Sequence, residues 1–440
     1  MIGFLFSING FCSIIVFKKV GFFMGKEIFE KYESNVRSYC RKWPVVMASS
    51  KGSYYTDVDG NKYIDFFDGA GALNYGHNPD YIKERIIKYI ESDGITHSLD
   101  MFAIAKENFI KYFEEEYLIP KGLDYKIMFT GPTGTNAVEA SLKLARKVTG
   151  RSEIWALMGA FHGMTLGTLA LTTESYARNG AGVSLNNVTH IPTPNYIDGF
   201  DTIKYMRTIL DDDHSGVEKP AAIILETVQA EGGINVFSNE FLQGIRKICD
   251  DYGIIMIVDD VQVGCSRTGT FFSFERANII PDMVCMSKSI GGYGLPFALA
   301  LIKPEYDKFG PGEHNGTFRG SQISIVAALA GLELNKKENI DMQVKEKEGL
   351  VKEYLEREIK PLLDENESYR GIGLIWGIQF KDGKLSRAIL DKCFEKGLVI
   401  ELAGRGDSVL KILPALTIDK ETLVKGLNII KESIIEVKNL

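Results

Sequence analysis

From about residue 125 to 305 the chain alternates short apolar runs with stretches of helical period. The runs KIMF, EIWAL, AAIILE, IIMIVD, MVCMS and FALALI carry Ile, Val, Leu and Met on consecutive positions rather than on every second one. Runs of this length without alternation predict strands covered on both faces. The helical stretches between them predict an α/β fold with a mostly parallel central sheet. In such sheets ligands gather beyond the carboxyl ends of the strands.

The flanks read differently. Residues 52–67, GSYYTDVDGNKYIDFF, hold two β-rich runs joined at Asp59-Gly60, a hairpin signal. The glycine-dense GAGALNYGHNP follows, and residues 78–118 read as helices. After about 335 a charged amphipathic helix (Glu338 to Leu363) leads into GIGLIWGIQF, another helix, the runs LVIEL and VLKILPAL, and a last helix from Lys420. This pattern predicts a smaller α+β lobe built from both chain ends. The expected division is an extension over 1–23, an N-terminal segment of the small lobe over 24–80, a large domain over 81–335 and the rest of the small lobe over 336–440.

The first 23 residues are apolar but lack a basic leader and a small-residue cleavage site, and Asn9 and Gly10 interrupt them. They are expected to be an upstream extension outside the fold, with Met24 as the functional start, and not a membrane span.

Composition narrows the function classes. With 45% hydrophobic and 25% charged residues the chain is an ordinary globular protein. A net charge of -7 and a pI of about 5.6 give no basic footprint for nucleic acid. Six scattered cysteines without a CxxC pair predict free thiols in a reducing cytoplasm. Six histidines without ligand spacing predict no catalytic metal.

Candidate chemistry sits at the strand ends. Lys288, in MVCMSKSIGGYGLP, follows a strand and precedes glycines. A desolvated lysine of this kind can form an imine with an aldehyde, although a strand-end lysine is ordinarily just a surface charge. Asp259 ends IIMIVD, and a carboxylate there can keep a pyridine nitrogen protonated, the pairing with an imine lysine that pyridoxal phosphate needs. It could equally cap a helix or pair within the core, and Asp260 is placed outside the site. The turn at Gly134 and Thr135 opens the helix of GTNAVEASLKLARK, where free N–H groups and the dipole suit a phosphate. A plain capped helix fits as well. In GAFHGMTLG, Phe161 can lie flat on a ring, with His162 beside it; a core phenylalanine and a hydrogen-bonded histidine are the ordinary readings.

The segments GPTGTNAVEASLKLARK, FHGMTLG, LETVQAEGG, VDDVQVG, SKSIGGYGLP and GTFRG, in this order, resemble the class III (ω) aminotransferases of pyridoxal-phosphate fold type I. The likeness runs from about residue 30 to the C-terminus. YIDFFDGAGALNYGHN, DGITHSLDM, RTGTFFSFE and PGEHNGTFRG resemble most the diaminobutyrate–2-oxoglutarate subgroup of the ectoine pathway.

The resemblance implies Lys288 as the Schiff-base lysine, Asp259 as the pyridinium partner, Gln262 on the ring 3'-oxygen and Phe161 stacked on the ring. Gly134 and Thr135 would hold the phosphate, joined by Thr317 from a neighbouring subunit, which makes the site a property of a homodimer or a dimer of dimers. Glu226 and Glu231 would lie near the cofactor and substrate, Glu231 as a movable charge. Lys411, in KILPALTI, stands where many relatives carry a carboxylate-gripping arginine. The implied reaction moves the amino group of L-glutamate to L-aspartate 4-semialdehyde, giving L-2,4-diaminobutyrate and 2-oxoglutarate. Other ω-aminotransferase substrates, an aminomutase or decarboxylase on the same fold, and a non-catalytic module binding a phosphorylated ligand are the alternatives. AGRGDS (403–408) is expected to be a polar loop without adhesive meaning.

Overall fold

The computed structural model describes residues 26–194, 196–197 and 199–439, together with two four-residue strands at 5–8 and 11–14. Apart from those strands, residues 1–25, on which the reading of an extension with a start at Met24 rests, lie outside the described residues. Residues up to 49 with 56–61 make one compact unit, and residues 50–55 with 62–440 the other. In the first unit the turn expected at Asp59-Gly60 forms, the Gly60 N–H donating to the Asp57 carbonyl at 3.1 Å.

The second unit is organised on a seven-stranded sheet. Its strands are β1 (Lys126–Phe129), β2 (Ile154–Leu157), β3 (Val188–Ile191), β4 (Ala222–Leu225), β5 (Ile255–Asp259), β6 (Met283–Met286) and β7 (Leu299–Ile302). Across the sheet they run β1-β7-β6-β5-β4-β2-β3. All adjacent pairs are parallel except those made by β7, which is antiparallel to β6 and β1. All six predicted runs are strands. The seventh, β3, is the edge strand VTHI, whose polar residues give no apolar run.

Alternate side chains on these strands enter different cores, which is why their sequence shows no polar face. Ile255 and Ile257 pack with Ala137, Val138, Leu142 and Ala145 of helix α1 (Gly134–Thr149). Met256 and Val258 face the other way, into a cluster with Phe241, Leu242, Ile245 and Ile248 of helix α2 (Asn239–Tyr252). Each α helix lays its apolar stripe on the sheet and leaves its polar face to water.

A second core joins Phe66, Tyr75 and Ile82 to Trp376, Ile378, Leu410, Ile412 and Leu427, so both ends of this unit build the smaller lobe. Its antiparallel sheet contains β8 (Ser368–Ile372), β9 (Ile375–Gln379), β10 (Glu401–Ala403) and β11 (Val409–Ile412). The helix expected over 338–363 is shorter: α4 (Ile340–Tyr354) follows α3 (Gln322–Lys337) after a left-handed Asn339. Beyond Tyr354 the chain winds into a π turn and then a 3₁₀ turn containing Pro361, which has no N–H to continue an α-helix. Among the described residues no helix is long and apolar enough to cross a membrane.

Candidate active site

The carboxyl ends of β1, β2, β4, β5 and β6 open on one cavity of about 480 Å³. Eight of the ten expected site residues line it: Gly134, Thr135, Phe161, Glu226, Glu231, Asp259, Gln262 and Lys288. Lys411 lies behind the wall, reached through Glu231. Thr317 lies outside this cavity, exposed at the start of a 3₁₀ turn (Thr317–Gly320).

Lys288 stands two residues beyond β6 with φ at +53°, a left-handed conformation that a side chain with a Cβ rarely adopts. Its amine has no hydrogen-bond or ion-pair partner among the described residues. Burial holds it below the ordinary lysine value, against the pull of Glu231 and with Lys411 reinforcing the fall. A desolvated amine facing a cavity suits imine formation.

Asp259 ends β5, buried, and its Oδ1 accepts the Val261 N–H at 3.1 Å. Its Oδ2 lies 2.7 Å from Nδ1 of His162. A carboxylate is acceptor-only when ionised, so Nδ1 carries the hydrogen. Burial would lower the imidazole's pKa, but the hydrogen bond and charge of Asp259 win and raise it. Glu226, just past β4, accepts the N–H groups of Phe161 and Ala230, each at 3.1 Å. Burial pushes Glu226 up to about 7, moderated by His162 and reinforced by Asp259.

At the start of α1 the first N–H groups have no intrahelical acceptor, and those of Gly134 and Thr135 border the cavity. A Cβ on Gly134 would sit 2.9 Å from Val261 Cγ1, so only glycine lets this turn close over the β5 end. The Thr135 hydroxyl is shared with Thr165 at 2.8 Å and Thr168 at 2.6 Å. A Cβ on Gly163 would meet that hydroxyl oxygen at 2.5 Å, and its φ of +126° independently demands glycine.

Gln262 bridges two regions. Its Nε2 donates to the Ala70 carbonyl and to Glu231 Oε1, each at 3.1 Å. The Ala70 turn is held by Arg267, fully buried, which donates to Asp68 at 2.5 Å and Asn74 at 2.6 Å. On the far side, Lys411 of β11 donates to Glu231 Oε1 at 2.7 Å, pairs with Glu401 of β10 and lies 3.4 Å from Gln262 Oε1. Burial would raise Glu231, but the charges of Lys411 and Lys288 bring it down to about 2. Lys411 is held above the ordinary lysine value, the two carboxylates overcoming its burial.

Residues 37–434 match the class-III aminotransferase family. The chain belongs to that family. It is 50% identical over 407 residues to the diaminobutyrate–2-oxoglutarate transaminase of Oceanobacillus iheyensis, covering 92% of this chain and 96% of the relative. It is 51% identical over 415 residues to the enzyme of the same name from Sporosarcina pasteurii, covering 94% and 97%. The fold is that of the ornithine aminotransferase of Toxoplasma gondii, whose active site holds pyridoxal phosphate at partial occupancy: TM-score 0.83, 22% identity, 94% of each chain covered.

As a class-III aminotransferase the chain is an enzyme that works with pyridoxal phosphate, and its donor set fits that cofactor. An unpartnered lysine amine suits the aldehyde, a buried carboxylate the ring nitrogen, and the free N–H groups at the start of α1 the phosphate. Sequence reasoning had His162 beside Phe161 but missed its bond to Asp259, and it missed Arg267 and Glu401 altogether. The dyad leaves no periodic trace, because its members are 97 positions apart. RTG at 267–269 and Glu401 within LVIEL carry no signal stronger than a loop and a strand.

Proposed function

We propose that this class-III aminotransferase carries the amino group of L-glutamate to L-aspartate 4-semialdehyde, forming L-2,4-diaminobutyrate and 2-oxoglutarate. The observation that carries the reading is the meeting of Lys288 and the buried Asp259–His162 pair in one cavity. The identity of about half of all positions with enzymes of that name, over nearly their whole length, supports the substrate.

Pyridoxal phosphate, when bound, supplies an electron sink for the charge that develops at the reacting carbon. Lys288 would hold its aldehyde and would move the proton at the substrate carbon. Asp259 keeps the ring nitrogen protonated, and His162 fixes the direction of that carboxylate. Phe161 would cover the ring and Gln262 would serve its 3'-oxygen, while Glu226 holds the Phe161 backbone in place. Gly134 and Thr135 take the phosphate through their N–H groups. Glu231 stays on Lys411 while the semialdehyde's amine product occupies the cavity, and gives way when a glutamate carboxylate arrives. One cavity then serves two substrates that present different ends.

Thr317 completes the phosphate site of a second subunit, making the active enzyme a homodimer or a dimer of dimers. Its exposure supports this, as does the apolar surface close to it in sequence and in the sequence around residue 100: Phe318 is 65% exposed, Met101 60% and Phe102 fully. For the expected lobes, 24–80 with 336–440 against 81–335, the support is the packing of Ile64, Phe66 and Tyr75 with residues 340–434, in a core that also takes Ile82 and Leu334 from the expected large domain. The reaction runs in the cytoplasm, and the likeness to the ectoine subgroup supports ectoine formation as the use of the product.

Two measurements test the reading. Borohydride treatment of the yellow protein should bleach it and leave the label on the peptide with Lys288; a label elsewhere overturns the anchor. With L-glutamate as donor, an acceptor screen should favour L-aspartate 4-semialdehyde. Preference for another aldehyde would keep the reaction class and sink the substrate.

A further inference from the structure

The ammonium of Lys411 has three N–H donors and no acceptor, and three partners already surround it. They are Glu401, Glu231 at 2.7 Å and Gln262 Oε1 at 3.4 Å. A substrate carboxylate can therefore reach Lys411 only by exchange with one of them. The two carboxylates are not equivalent. Glu401 is 2% exposed and sits opposite Lys411 in the β10–β11 register, on the same face of the sheet. Glu231 is a third exposed and stands on the cavity wall, in the loop after β4.

We propose that Glu401 is the fixed counter-ion of Lys411 and Glu231 the exchangeable one, so that Glu401 positions a charged lysine throughout the exchange. The proposal rests on the reading of Lys411 as the carboxylate grip. Its physical reason is the residue type. Arginine stays charged when buried and holds two partners in one rigid fork, whereas lysine is a point charge on a flexible stem that loses its proton when desolvated and unpaired. Lys411 is fully buried. Without Glu401, departure of Glu231 would leave a sealed ammonium with a single distant amide oxygen, a state that burial strongly disfavours. The charged groups facing Lys411 are Glu401 from the neighbouring strand, Glu231 from the loop after β4, and Lys288 from the turn after β6, whose positive charge pushes the same way as burial.

The test is binding of glutarate, a dicarboxylate with no amine or carbonyl to react, titrated calorimetrically into the holoenzyme at about pH 7 and about pH 9. The wild-type dissociation constant should stay flat across that range. In Glu401→Gln it should weaken about tenfold at the higher pH while changing little at the lower one, because the unclamped lysine sheds its proton. Glu401→Asp should restore the flat profile. In Glu231→Gln the competitor is gone and Glu401 remains, so glutarate should bind more tightly at both pH values; this variant keeps the proposal testable if Glu401→Gln does not fold. A Glu401→Gln profile like the wild type, or weakening equal at both pH values, overturns the proposal, as does alkaline loss in Glu231→Gln. Lys411→Ala separates the layers: unchanged glutarate affinity in that variant overturns the carboxylate grip itself.

Discussion

His162 and Asp259 meet at 2.7 Å, the imidazole Nδ1–H donating to a carboxylate that ends the central strand β5. The two side chains are 0% and 6% exposed, so water does not substitute for either partner. A charge-assisted hydrogen bond in such a place fixes the aspartate's direction. The other His162 nitrogen, Nε2, has no hydrogen-bond partner among the described residues, so Asp259 is the ring's polar anchor there.

Replacing His162 with Ala should lower kcat by about ten- to a hundredfold, the loss of one charge-assisted hydrogen bond. KM for glutamate should change far less, since the ring's hydrogen bond goes to Asp259. Steady-state kinetics over both half-reactions separate the two; a rise in KM without loss of kcat would argue against the positioning role.

Asp259→Asn keeps the shape but removes the negative charge that holds a proton on the ring nitrogen. Turnover should fall by roughly three orders of magnitude or more, the scale on which preorganised electrostatics act in active sites. Nearly intact single-turnover rates would show that the charge is not needed.

Lys411→Ala leaves two carboxylates, Glu231 and Glu401, without their cation. KM for glutamate should rise by about tenfold or more, matching the loss of one charged contact. Stability should also fall by about 3 kcal/mol or more, as expected when a buried pair loses one partner. Thermal melts and kinetics measure the two effects independently.

Two acids of the site make stability pH-dependent with opposite signs. Glu226 has a folded pKa of about 7 against an ordinary 4.5, so its favourable contribution is present below 4.5 and is lost as pH rises towards 7. Glu231, at about 2, contributes above 4.5 and loses it as pH falls towards 2. Glu226→Gln should therefore flatten the decline in Tm between about pH 5 and about pH 7 without touching the acid limb. A decline as steep as the wild type's would assign it to another group.

The long-range reach of the site explains what sequence reading missed. Every buried strand with a continuous apolar run was legible, because two apolar cores leave no room for a polar face. The edge strand β3 was not, because its environment asks for no such run. Helix α3 escaped for a related reason: Ile325, Ala328, Ala330, Leu332 and Leu334 are all buried and point around its circumference, so no amphipathic period marks it.

By itself, then, the sequence determined the fold class, the strand ends where chemistry gathers, and the residue types that meet the cofactor's needs: a lysine, an aspartate and a glycine turn at a helix start. These are local properties of composition and period. Which groups face one another was decided only by the tertiary structure. The imidazole under Asp259, the buried guanidinium behind the Ala70 turn and the two carboxylates flanking Lys411 are pairings between distant segments. Burial strips these groups of water, which costs free energy unless a partner is in place, and that is what makes each partner necessary to the other.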